Sequence, residues 1–77
     1  MKTRKEYTGF IDIKGFEVEV YITFDLLEEH DTNYLAVVEG SVEVEVLYDS
    51  VWSEEELEDA FWQDEARIVE YSECVGV

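Results

Sequence analysis

Apolar and polar residues alternate through the first half of the chain with the two-residue period of half-buried strands, and the period becomes helical near residue 54. Over residues 7–13, Tyr7, Gly9, Ile11 and Ile13 share one face, with Thr8, Phe10 and Asp12 on the other. Lys14 and Gly15 fit a tight hairpin turn. The next run, FEVEVYITF, is the clearest strand: Phe16, Val18, Val20, Ile22 and Phe24 point one way, and Glu17, Glu19, Tyr21 and Thr23 the other. Leu26 and Leu27 continue the apolar character until the polar run EEHDTN, which holds His30, interrupts it as a loop.

A third strand is expected over residues 34–38. Glu39 and Gly40 then fit a second hairpin turn into SVEVEVLY, where Val42, Val44 and Val46 alternate with Glu43, Glu45 and Leu47. The alternative is that Gly40 marks a bulge within one long strand. Ser53 and Glu56 have the spacing of a capping box, with Trp52 and Leu57 at the staple positions. The helix is predicted over 54–65, burying Leu57, Ala60 and Phe61 and exposing Glu54, Glu55, Glu58 and Asp59. A last strand is expected over 67–74, with Val69 and Tyr71 on one face and Glu70 and Ser72 on the other. The expected architecture is α+β: a mainly antiparallel sheet of four or five strands with one helix packed on one face, in the order β-β-β-β-α-β, forming a single domain over residues 1–77.

A chain of 77 residues buries only about 60–65% of its unfolded surface and leaves little room for a deep pocket. Its 47% apolar and 14% aromatic content is nevertheless too high for a disordered acidic tail, so a packed core is expected. The single Cys74 has no disulfide or zinc partner in the chain, which fits a reducing cytoplasm. The start, MKTRKEYTGF, lacks an apolar signal region, and no window approaches the roughly 20 apolar residues of a membrane span. The expectation is a cytoplasmic protein with no membrane partner.

Charge changes the picture. Glu6 and Asp12 are the only acidic residues up to Lys14, so nineteen of the 21 acidic residues follow it and meet one base, Arg67. The whole chain carries −16, well beyond the magnitude of about 2 to 8 that solubility asks of a small domain. Such a one-sided surface repels itself but steers and holds positive partners. Adaptation to high salt also selects acidic surfaces and stands as a second account of the composition.

The pattern of most interest is Glu17 and Glu19 on one strand and Glu43 and Glu45 on another. Alternate residues lie about 6.6–6.8 Å apart along a strand, and in a four-strand meander the two rows would be two strand spacings, about 9.5 Å, apart. Glu54, Glu55, Glu58, Asp59 and Asp64 add a helical cluster. Spaced carboxylates on a rigid scaffold imitate phosphates and compete for a basic nucleic-acid groove. Phe10, Tyr21 and Leu47 share the outward phase of their strands, and Trp62 lies off the buried helical stripe, so Tyr21 and Trp62 are candidate aromatic anchors.

Catalytic chemistry finds no support. The chain has one His and no nucleophile motif or phosphate-cradling loop, and EEHDTN lacks the spacing of a calcium loop. No catalytic residue, cofactor or specific metal site is expected. The short basic segment Lys2, Arg4, Lys5 is expected to pair with the chain's own acidic face rather than with nucleic acid.

In size, acidity and strand-rich layout, and in Glu17, Glu19, Glu43, Glu45 and the EEELED run at 54–59, the chain resembles small phage-encoded DNA mimics. These include anti-CRISPR and anti-restriction proteins and the protein inhibitor of uracil-DNA glycosylase. The resemblance implies a stoichiometric inhibitor, monomeric or homodimeric, that fills the nucleic-acid groove of a host nuclease or CRISPR complex in the host cytoplasm. The alternative is an immunity-type or regulatory partner of one specific basic protein, bound through an apolar patch rimmed by carboxylates.

Overall fold

The computed structural model describes residues 2–29, 34–48 and 51–75. Its frame is one long hairpin. Strand β1 (Lys2–Ile13) and strand β2 (Phe16–Glu29) pair antiparallel from Lys2↔Leu27 to Ile13↔Phe16. Lys14 and Gly15 both have positive φ, 52° and 86°, which gives the mirror-image two-residue turn whose twist matches the strands it joins. Asp12 Oδ1 accepts the Gly15 N–H at 2.8 Å and fixes the turn. Pairing continues past the expected strands at the end away from the turn, as far as Lys2↔Leu27, and the molecule measures 41 × 24 × 19 Å.

Strands β3 (Tyr34–Val37) and β4 (Glu43–Val46) both lie antiparallel on the same edge of β2. The expected hairpin at Glu39 and Gly40, and the meander built on it, are therefore absent. Chain direction does not reverse there, and the bulge alternative describes the connection. Leu26 pairs with Val37 and Thr23 with Glu43, so the chain spends six residues where β2 spends three. Three extra residues reverse the in–out phase. Val37 faces the core at an odd position, and Val42, Val44 and Val46 do so at even ones.

Ser41 closes the ladder across this insertion. Its Oγ accepts the Asp25 N–H at 3.0 Å and donates to the Val38 carbonyl at 2.6 Å, while the Val38 N–H reaches the Asp25 carbonyl at 2.9 Å. A hydroxyl thus replaces a missing backbone acceptor. Gly40, at φ 83°, supplies the left-handed step that lets the loop fold back. Arg4 braces it from the neighbouring strand, donating to the Ser41 carbonyl and Asp25 Oδ1, each at 3.3 Å, and to Thr23 Oγ1 at 2.8 Å.

Helix α1 (Glu54–Gln63) starts at the predicted capping box: the Ser53 hydroxyl accepts the Glu56 N–H, and the Glu56 carboxylate accepts the Ser53 N–H. The chain then bends at Asp64 and continues as helix α2 (Glu65–Tyr71), where the alternating pattern of 67–74 had suggested a strand. A helical stripe outweighs that alternation. Ile68 falls one heptad beyond Phe61 and joins Leu57, Ala60 and Phe61 in the core, and no Gly or Pro stops the helix before Ser72. Only Glu73–Cys74 is extended, forming β5 on the outer edge of β1. The result is an open, five-stranded antiparallel sheet in the order β3-β2-β1-β5, with β4 also on β2 and two short helices on one face. The expected α+β class holds, with a second short helix in place of most of the expected last strand.

The helices cover the face carrying Tyr7, Ile11, Ile13, Val20, Ile22 and Phe24, and the Phe24 and Phe61 rings meet at 5.6 Å between centroids. Arg67, the one base after Lys14, is used inside the fold. It donates to Asp64 Oδ2 at 2.7 Å, to the Tyr7 hydroxyl at 3.1 Å and to the Phe10 carbonyl at 2.8 Å. The Tyr7 hydroxyl donates to that same carbonyl at 2.8 Å. Together they occupy a sheet-edge acceptor beyond the reach of β5 and blunt an open edge. Tyr7 can lie there because residue 9 is glycine: a Cβ at Gly9 would sit 2.8 Å from the Tyr7 hydroxyl.

Candidate functional site

The sheet face away from the helices carries the acidic pattern. Cross-strand register sets its rows: Asp12 beside Glu17, Phe10 beside Glu19, Thr8 beside Tyr21 and Glu45, and Glu6 beside Thr23 and Glu43. Leu47 extends the second row, its N–H donating to the Glu19 carbonyl at 3.2 Å. Glu17, Glu19, Glu43 and Glu45 do share one face, as the alternation predicted. Their arrangement differs from the expected grid, because β4 neighbours β2 directly, one strand spacing of about 4.8 Å away. Glu43 and Glu45 also lie opposite Thr23 and Tyr21 rather than opposite Glu17 and Glu19. The four form an offset line that Glu6 and Asp12 widen on β1. Hairpin register was the signal for these two: once Lys14 and Gly15 are the turn, Asp12 must oppose Glu17.

The four rows stand two residues apart and so span about 20 Å, with six carboxylates along that length. With two carboxylates in each end row and one in each inner row, this averages roughly one charge per 3.3 Å, a mean density close to the one charge per 3.4 Å of a single strand of duplex DNA. Glu17 and Glu19 have no ion-pair partner among the described residues. Glu43, 80% exposed, approaches Arg4 at 3.6 Å, so the line is partly neutralised at that end. This is the internal pairing expected of Arg4. Lys5 Nζ instead lies 3.5 Å from Cys74 Sγ. Tyr21 is not a free anchor: its hydroxyl donates to Glu6 Oε2 at 2.8 Å, and that hydrogen bond raises the phenol's pKa, with burial and the Glu6 and Glu45 charges adding to it.

Glu54, Glu55, Glu58 and Asp59 lie exposed along α1, in the layer opposite the outer sheet face. The two sets meet at one edge, where Glu43, Glu54 and Glu58 line a cleft of about 200 Å³ with Val42, Val44 and Leu57. The acidic surface therefore wraps around β4. Trp62, 36% exposed, follows one turn after Glu58 and packs edge-on against Phe61 at 5.0 Å. It stays on the helix layer, so the structure does not bring Trp62 and Tyr21 into one patch.

At the hairpin end, β2 runs past the last residue of β4 and the helices leave it uncovered. Phe16, in phase with the buried Val20, Ile22 and Phe24, is nonetheless 63% exposed there. With Phe10, Tyr48, Trp52, Glu17 and Glu19 it lines a groove of about 440 Å³. The Phe16 and Trp52 rings stand 5.9 Å apart and tilted by 49°. The sequence placed Trp52 only at the helix staple, and nothing in the local pattern shows where β4 and the helices stop.

Among the described residues no three His, Cys, Asp or Glu side chains converge to hold a metal ion, and no helix is long and apolar enough to cross a membrane. His30 and residues 31–33 of the expected loop lie outside the described residues. Comparison with protein-family models, curated proteins and solved structures finds no match to this chain.

Proposed function

We propose that this chain is a stoichiometric, non-catalytic inhibitor whose outer sheet face stands in for one DNA strand in the basic groove of a nuclease or CRISPR complex. One observation carries the reading: six carboxylates on a hairpin-built face have an average charge density along the strands close to that of a DNA strand. The scaffold supports it, since two bases that could neutralise this face are committed elsewhere and, among the described residues, Arg4 meets it only at the Glu43 end. Arg67 is held by Asp64, Tyr7 and Phe10, and Lys14 Nζ is bound to Glu56 at 2.7 Å. The wrap onto Glu54 and Glu58 would let a groove wall contact the β4 edge as well.

The test is capture on immobilised protein at about 100 mM salt, followed by challenge with duplex DNA and with high salt, because released counterions make groove binding steeply salt-dependent. The reading expects one nuclease or CRISPR complex that DNA displaces. A complex that binds DNA and this chain together would refute it. The groove at Phe16 and Trp52 favours a second reading, an immunity-type partner of one basic protein bound beside its nucleic-acid site. In that case Trp52→Ala would weaken binding more than Glu17→Gln with Glu19→Gln.

A further inference from the structure

The groove at the hairpin end has an unusual lining for a surface depression. Four aromatic side chains, Phe10, Phe16, Tyr48 and Trp52, meet two carboxylates, Glu17 and Glu19, and no basic residue contributes to it. Aromatic faces attract cations through their quadrupoles, tryptophan most strongly, and a rim of carboxylates adds the matching charge. A purely apolar occupant would desolvate Glu17 and Glu19 without compensating them. A second copy of this chain would bring another −16 charges to the same place.

We propose that the groove is a receptor for one arginine side chain of the basic partner. The guanidinium stacks on the exposed aromatic surface formed by the Phe16 and Trp52 rings, which pack against each other at 5.9 Å and 49°, and its N–H groups reach around the uncovered edge of β2 toward Glu17 and Glu19. Arginine suits the site better than lysine, because its planar and weakly hydrated cation combines stacking with directed hydrogen bonds. The inference rests on the reading that the partner is a basic protein. It adds an anchoring contact at one end of the carboxylate line, which would fix the register of an otherwise repetitive charge pattern.

The test uses the full chain and an acetyl-Gly-Arg-Gly-amide peptide, followed by two-dimensional amide NMR at low salt, with the citrulline peptide as its uncharged isostere. Saturable shifts are expected at the Trp52 indole N–H and at the Phe16, Glu17 and Val18 amides, with none from citrulline. Trp52→Leu should weaken binding about fivefold, as loss of a cation–π contact predicts, and Trp62→Leu should leave it unchanged. Because Trp52 also packs against the core, Phe16→Leu at its exposed site repeats the test if Trp52→Leu fails to fold. Equal shifts at Glu43, Glu45, Glu54 and Glu58 would overturn the proposal as diffuse condensation, and equal response to citrulline would overturn it as apolar contact. Displacement of the captured protein by DNA is measured on the unaltered chain, so failure of the arginine site and failure of the mimicry are read separately.

Discussion

Ser41→Ala tests how the β4 carboxylates are held in place. The Ser41 hydroxyl is the acceptor for the Asp25 N–H, in a stretch where the ladder between β2 and its neighbour is interrupted by three extra residues. Alanine keeps the backbone and removes only that acceptor and the donor to Val38. An amide left unsatisfied costs about 1–3 kcal/mol, and the half-buried position of Ser41 puts the expected loss near 1–2 kcal/mol. A domain of this size has roughly 4–12 kcal/mol in all. With a urea slope of about 1 kcal/mol/M, the midpoint should fall by about 1–2 M. Hydrogen exchange localises the effect: the Asp25 amide should lose protection ahead of its neighbours, and Ser41→Thr should restore most of it. An unchanged midpoint with an equally protected Asp25 amide would show that the hydroxyl does not close the ladder.

Other outcomes follow from the same contacts. Gly9→Ala places a Cβ 2.8 Å from the Tyr7 hydroxyl, which must leave the Phe10 carbonyl and Arg67; a loss of about 1–3 kcal/mol in thermal or urea unfolding is expected, and a neutral result would refute the close packing. Glu58→Lys turns a like-charge pair with Glu54 into a favourable one and should stabilise the fold by roughly 0.5 kcal/mol while weakening capture of the basic partner; equal capture would remove α1 from the interface. Lys14, and the Ser53 backbone and hydroxyl, hold the Glu56 carboxyl below its ordinary pKa. That contribution is present above the unfolded value and disappears as pH falls through the lower folded one, so Lys14→Met should move the Glu56 titration seen by carboxyl NMR back upward.

Much of the fold was legible because β1 and β2 are local: strict alternation and a Lys14–Gly15 turn determine both strands and their register. The capping box at Ser53 and Glu56 was equally readable, since it needs only four consecutive residues. The errors came where tertiary context decides. Gly40 serves a turn or a bulge equally well, and only the common partner strand β2 distinguishes them. Residues 67–71 alternate like a strand, but Ile68 completes a stripe with Phe61 that burial favours. For the site, the facing of Glu17, Glu19, Glu43 and Glu45 was correct because the three-residue insertion and the valine phase agree. The contribution of Glu6 and Asp12 required hairpin register, and the aromatic groove required knowing where β4 and the helices end.

The central claim is that the carboxylate line occupies the place of DNA. The most direct measurement is a competition titration of the captured partner, with labelled duplex DNA bound to it and this chain added at several salt concentrations. The account predicts complete displacement at one chain per DNA site, a steep decline of affinity with salt, and a large loss when Glu17, Glu19, Glu43 and Glu45 are all changed to Gln. A ternary complex that keeps its DNA, or affinity indifferent to both salt and those four changes, would contradict it.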